Sequence, residues 1–339
     1  MNIQDSNNSL AQLDTKTYGN LTDDLFDFFN TPYEADTKPV SPVITSIVLC
    51  GLGILANSLS IFAILYLHNK LSTHLKLIIN LCVSDALIVV PTLVSKIIYM
   101  TETSTFCSAV AERLIIDLAL LATLLNLLMI AVDHYFAILR PLLYRRKMTN
   151  FRGNFFIIGI WVTSLFGIAL EILAGVVVKN KNDSLCGAIA FDEYDSEICI
   201  VGFIFVVLLV VIVIYTRIYI RVVKLISTHE RRRYHHYDSG SFKALVTTSL
   251  FVGTFVLFWT PIGIFNVYSY MQTESYILKN LQKNTLIGDI LFLILQLNTI
   301  ADPIIYALRL PPVQRGCKAL VEKRILVRKE KSTSEMAYL

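Results

Sequence analysis

The chain is short of charge. Asp, Glu, Lys and Arg make up 17% of its 339 residues, where a soluble domain runs near a quarter. That deficit excludes a pair of ordinary soluble domains, the organisation that length alone would favour. Gly (14) and Pro (9) are too few for a collagen-like or low-complexity chain. No Walker loop, zinc-ligand spacing, GxGxxG or catalytic-triad pattern occurs, so an enzyme is not expected. The net charge is only +4, and no nucleic-acid partner is expected. What is abundant is apolar: 55% of the residues are hydrophobic and the mean hydropathy is +0.60. A chain this apolar needs lipid as part of its solvent.

A helix crosses the hydrocarbon core with about 20 apolar residues. Seven stretches qualify, at 43–67, 75–98, 110–139, 155–178, 199–226, 243–271 and 285–308. They predict an all-α, seven-transmembrane helix bundle over 43–308, between an acidic N-terminal tail (1–42) and a C-terminal segment (309–339). The connections are short, and the halves show no matching broken helices of the inverted-repeat transporter kind.

Orientation follows from the basic residues. Segments 68–76, 140–154, 220–243 and 309–339 carry 21 of the 30 Lys and Arg, against six in the alternate set. The N-terminus is therefore expected outside. The three N-x-S/T sequons, at Asn7, Asn20 and Asn182, all fall on that side and are expected to be glycosylated. Residues 1–42 hold seven acidic residues against Lys16 and Lys38 and lack an apolar h-region. The first span is expected to serve as its own signal.

Motifs recur one per span. Asn57 lies in Gly53-Ile54-Leu55-Ala56-Asn57 and Asp85 in Asn80-Leu81-Cys82-Val83-Ser84-Asp85. Trp161 is in the fourth span and Tyr215 in the fifth. Phe258-Trp259-Thr260-Pro261 is in the sixth, and Asn298-Thr299-Ile300-Ala301-Asp302-Pro303-Ile304-Ile305-Tyr306 in the seventh. Together they resemble the rhodopsin class of G-protein-coupled receptors across all seven spans. The fifth span lacks a proline and the seventh reads Asp302-Pro303 rather than Asn-Pro. Both features resemble the melanocortin, cannabinoid, adenosine and lysophospholipid receptor group. Gln296 stands where opsins keep the retinal lysine, which disfavours an opsin.

The resemblance implies roles for particular residues. Asp85, Thr123, Asn298 and Asp302 correspond to a set that holds an allosteric sodium ion; no other cofactor is expected. Physics allows this, because two close carboxylates in low dielectric need a cation or a shared proton. The alternative is a plain Asp85–Asn57–Asn298 hydrogen-bond network. Trp259 lies beneath the ligand in the family, and Pro261 kinks the sixth helix; static packing is the alternative for both. Tyr215, Pro303 and Tyr306 complete the switch set. The family's Asp-Arg-Tyr reads Asp133-His134-Tyr135 here. Arginine is a permanent forked cation, whereas histidine is shorter and usually neutral at pH 7. The arginine's role therefore does not carry over to His134, and a compensated receptor stands beside a decoy or weakly coupling one. A transporter lined by buried aspartates is the remote alternative.

Ligand candidates are Glu112, Arg113, Asp117, Trp259 and Asp289. Ile116 occupies the position of the amine-binding Asp of aminergic receptors, which disfavours a monoamine. A basic peptide or a zwitterionic lipid suits the charges, which otherwise sit at headgroup level. Cys107, Cys186 and Cys199 face the oxidising side. The usual family bridge joins the third helix to the second outer loop. Several members of the resembled group bridge within the loop, so Cys186–Cys199 is expected, with Cys107 the alternative partner. After Pro311 and Pro312, Val313, Cys317, Leu320, Val321 and Ile325 recur at helical spacing. This predicts a short amphipathic eighth helix on inner-leaflet lipid, with Cys317 a palmitoylation candidate. Inner-face partners implied by the resemblance are heterotrimeric G protein and arrestin; the partner outside is a ligand of unknown identity.

Overall fold

A computed structural model describes residues 40–67, 70–101, 103, 105–140, 142, 144, 150–178, 186, 193–227, 231–272, 276, 279–320 and 322. Asn7, Asn20 and Asn182 lie outside them. Seven long helices follow in order: α1 Val40–Leu67, α2 Thr73–Met100, α3 Phe106–Leu139, α4 Asn150–Val178, α5 Glu193–Ser227, α6 Arg231–Tyr270 and α7 Leu281–Arg309. Each contains a stretch long and apolar enough to cross a membrane, and no strand occurs among the described residues. A short eighth helix, α8, covers 311–320.

The pattern on α1 shows why lipid is required. Ile44, Val48, Leu52, Leu55, Leu59 and Phe62 are all exposed and recur every three or four residues, which puts them on one face. Ser46, Cys50, Asn57, Ser60 and Ala63 are buried on the other. Polar groups turn inward and large apolar groups outward, the reverse of a soluble helix. The most apolar stretches of α4 and α5 are only 17% buried within the protein, whereas those of α2 and α3 are 56% and 50% buried. Accordingly α3 sits at the centre, packed on α2, α4, α5 and α6, while α1 and α7 close the ring.

Most helices run past the apolar stretches expected for them, and α6 begins twelve residues before position 243. Hydropathy marks where lipid ends, but the backbone hydrogen-bond ladder continues into water. Caps set two starts. The Ser72 hydroxyl accepts from the Leu75 N–H at 3.3 Å and opens α2. At α3, Thr105 accepts from the Ser108 N–H at 3.2 Å while the Ser108 hydroxyl accepts from the Thr105 N–H at 3.1 Å. This reciprocal box starts α3 four residues earlier than the apolar run.

That early start decides the disulfide. Cys107 falls in the first turn of α3 and pairs with Cys186, their Cα atoms 5.4 Å apart, within the span a disulfide bridges. Each sulfur bonds once, so the expected Cys186–Cys199 bridge is replaced by Cys107–Cys186. Cys50, Cys82 and Cys317 are free thiols.

At the other end α7 stops at Leu310, whose backbone is extended, and Pro311 and Pro312 open α8. Val313 is buried, and Cys317 and Leu320 pack on the same core, while Arg315 and Lys318 are exposed. Gly316 explains the close docking: a Cβ there would run into the Ala63 carbonyl of α1.

Candidate functional site

Buried polar side chains concentrate on the inward faces of α1, α2, α3 and α7. Asn57 Nδ2 donates to the Gly53 carbonyl at 3.0 Å and across to the Thr299 carbonyl at 2.8 Å, tying α1 to α7. Gln296 Nε2 donates to Ser46 Oγ at 2.8 Å and reinforces the same pair of helices. Asn80 Nδ2 donates to Asn126 Oδ1 at 3.0 Å, Asn126 Nδ2 to the Leu77 carbonyl at 2.8 Å, and Trp161 Nε1 to Asn80 Oδ1 at 2.8 Å. This second chain fastens α2, α3 and α4 together.

Between these networks lies a group left unsatisfied. Asp85, Thr123, Asn298 and Asp302 are all at most 3% exposed. Both carboxylate oxygens of Asp85, Thr123 Oγ1, Asn298 Oδ1 and Asp302 Oδ1 are buried without a hydrogen-bond partner. Asp302 lies within electrostatic reach of Asp85. Native interiors rarely leave such groups bare, and five buried oxygens, from two carboxylates, a hydroxyl and an amide, are the donor chemistry of a hard cation. These residues fit a sodium ion. The direct Asp85–Asn57–Asn298 alternative is not formed, because the Asn57 amide is spent on two backbone carbonyls.

Next to this group runs an aromatic column on α6. Phe251, Phe255 and Trp259, at i, i+4 and i+8, share one face and are each at most 7% exposed. Phe255 stacks on Trp259 with centroids 5.4 Å apart, and Phe251 meets Tyr306 of α7 at 5.1 Å. The Trp259 Nε1–H and the Tyr306 hydroxyl are both buried without a partner. Pro261 and Pro303 lie inside α6 and α7, so each removes one ladder bond beside the column. Phe251 and Phe255 were absent from the expected switch set, although their spacing ahead of Trp259 is readable in the sequence.

The outer-half charges divide in two. Arg113 Nη2 lies 3.1 Å from Glu171 Oε1 of α4, so Arg113 pairs across helices rather than with its neighbour Glu112. Glu112 faces Ser95 and Lys96 of α2 instead. Lys96 also lines a small cavity with Asp289, Phe292 and Leu293 of α7 and Pro42, Val43 and Ser46 of α1. Lys96 thus joins Glu112 and Asp289, a role its position inside a span did not reveal. Asp117 is half-buried further along α3, and Trp259 is buried in the core.

At the inner end, Tyr144 OH donates to Asp133 Oδ1 at 3.0 Å. Burial and the adjoining Asp133 carboxylate push the Tyr144 phenol well above its usual value, so it stays a donor. Asp133 Oδ2 lies 3.6 Å from His74 Nδ1 of α2. His134 is 6% exposed, its ring 5.0 Å from that of His74. It is a buried packing group, not a cation reaching out of the bundle. Tyr135 and Tyr215 pack with Ile138, Leu139 and Ile214 around Ile218, joining α3 to α5. His74 and Tyr144 were not foreseen at this end, since neither belongs to a motif.

Comparison with known proteins agrees with this arrangement. Residues 56–306 match the family model "7 transmembrane receptor (rhodopsin family)". The glucose-dependent insulinotropic receptor of Homo sapiens is 27% identical over 283 residues, 77% of this chain and 80% of that protein. The histamine H2 receptor of Cavia porcellus is 27% identical over 248 residues, covering 68% and 65% respectively. Melanocortin receptor 5 of Ovis aries is 23% identical over 215 residues, covering 61% and 58%. The matched segment runs from Ala56 in α1 to Tyr306 in α7 and holds Asn57, Asp85, Asn298, Asp302 and the aromatic column, and the chain belongs to the rhodopsin family of seven-transmembrane receptors, multi-pass proteins of the plasma membrane.

Proposed function

We propose that this receptor transmits the binding of an extracellular peptide or lipid-like ligand to heterotrimeric G proteins. The observation that carries the reading is the unsatisfied oxygen cluster of Asp85, Thr123, Asn298 and Asp302 beside the Phe251–Phe255–Trp259 column. A bound sodium ion would supply the positive charge that the two carboxylates need. The chain's own residues do the rest: Trp259 at the outer end of the column stacks on Phe255, Tyr306 at the inner end meets Phe251, and both helices are interrupted by proline. A shift at Trp259 therefore moves groups that already lack fixed partners.

Relatives named for histamine and for melanocortin differ in ligand chemistry. Ile116 in place of an amine-binding Asp argues against the former. Glu112, Asp117, Glu171 and Asp289 outnumber Lys96 and Arg113 in the outer half, which favours a basic peptide over a zwitterionic lipid. A buried histidine at 134 lacks the reach of the family's arginine, so contact with the G protein falls to other inner-face residues. The test is nucleotide exchange on G proteins in membranes carrying the receptor, across peptide and lipid panels, with His134→Arg beside wild type. Ligand-stimulated exchange is expected. Ligand binding without exchange in either form marks a decoy, and exchange that appears only with arginine marks a receptor silenced at this position.

A further inference from the structure

The inner ends of α2 and α3 hold a group that the signalling reading does not use. His74 stands in the first turn of α2, and Asp133 and His134 near the end of α3. One donor atom from each lies within 4.8 Å of the other two. Asp133 and His134 are buried and His74 is half-buried. His74 Nδ1 has no hydrogen-bond partner and stands 3.6 Å from Asp133 Oδ2. Two ligands on a tetrahedral zinc ion, each about 2.0–2.1 Å from the metal, stand about 3.3–3.4 Å apart. The His74–Asp133 edge is thus within a few tenths of an ångström of that spacing, and the 4.8 Å limit leaves His134 a short ring movement to make. Tyr144 holds Asp133 Oδ1 at 3.0 Å, which leaves Oδ2 turned towards His74. An outer hydrogen bond that orients a carboxylate ligand is a regular feature of metal sites.

We propose that His74, Asp133 and His134 form a zinc site, with water as the fourth ligand, that clamps α2 to α3 at the inner face. Two imidazoles and a carboxylate suit zinc among the common cations. An arginine at position 134 would offer no lone pair and would repel the ion; histidine there supplies a ligand instead. Asp133 supplies the one carboxylate of the set, a ligand of opposite charge to a divalent cation.

The test needs neither ligand nor G protein, so its outcome is separate from that of the signalling reading. The purified full-length receptor is titrated with Zn2+ against a chromophoric chelator, and with Co2+ while visible d–d bands are recorded. One metal per chain and four-coordinate cobalt bands are expected. His74→Ala and Asp133→Asn should each weaken binding by more than about 100-fold, and Tyr144→Phe by about 10-fold, the effect of losing an outer partner. His74→Cys should restore binding and add a thiolate-to-cobalt charge-transfer band, which also serves if the alanine variant fails to fold. The chain has four other histidines, His68, His229, His235 and His236, so the titration is repeated with those four replaced by Asn. No metal bound by wild type, binding unchanged in both His74→Ala and Asp133→Asn, or binding lost with the other four histidines would overturn the proposal.

Discussion

Replacing Asn80 isolates what the α2–α3–α4 polar chain contributes. Asn80 is 5% exposed and Asn126 fully buried, and Asn80 makes two side-chain bonds, to Asn126 at 3.0 Å and from Trp161 at 2.8 Å. Hydrogen bonds between membrane helices average about 0.6 kcal/mol and reach about 1.7 kcal/mol. Asn80→Ala should therefore destabilise the bundle by about 1–3 kcal/mol, counting two such bonds. Trp161→Phe keeps an aromatic ring, loses one bond, and should cost about 0.6–1.7 kcal/mol. In the Asn80→Ala background that bond no longer exists, so the second substitution should cost less by the same amount. Unfolding of the purified receptor, measured for wild type, both single variants and the double, gives the coupling directly. Additivity within about 0.3–0.5 kcal/mol would refute the chain as a coupled unit.

Other substitutions probe separate parts of the account. Asp85→Asn should abolish the extra thermal stability of the receptor in Na+ over K+, and an undiminished difference would reject the cation reading of the oxygen cluster. Gly316→Ala should loosen α8 from α1 and lower stability by about 1–3 kcal/mol, the usual range for overpacking, whereas Lys318→Ala on the exposed side should leave the melting temperature unchanged. Cys199→Ser should preserve the bridge seen by peptide mapping, while Cys107→Ser or Cys186→Ser should remove it at a cost of about 2–4 kcal/mol.

The seven spans were legible because lipid imposes a length and a hydropathy that few soluble helices share. Their ends were not. The start of α3 hung on the Thr105–Ser108 box, which escapes a search for Glu or Gln three residues after the cap, and the disulfide partner of Cys186 was misjudged with it. Motif residues such as Asp85, Asn298 and Asp302 could be named from order along the chain, since each marks a fixed depth in its own helix. Pairings between helices could not. His74 and Asp133 are 59 positions apart and meet only because α2 and α3 run antiparallel with their inner ends side by side. Arg113 had an adjacent Glu112 and yet reaches Glu171, because neighbours in a helix point about 100° apart. Lys96 belongs to no motif, and its neighbours on α1, α3 and α7 are brought to it only by the packing of the helices.

The most direct measurement is guanine-nucleotide exchange on a panel of purified heterotrimeric G proteins, with membranes that carry the receptor compared with membranes that lack it. The account predicts that exchange rises with a peptide or lipid-like ligand and that Trp259→Ala suppresses the rise while the receptor still reaches the surface. A substrate-driven current without any nucleotide exchange would contradict it.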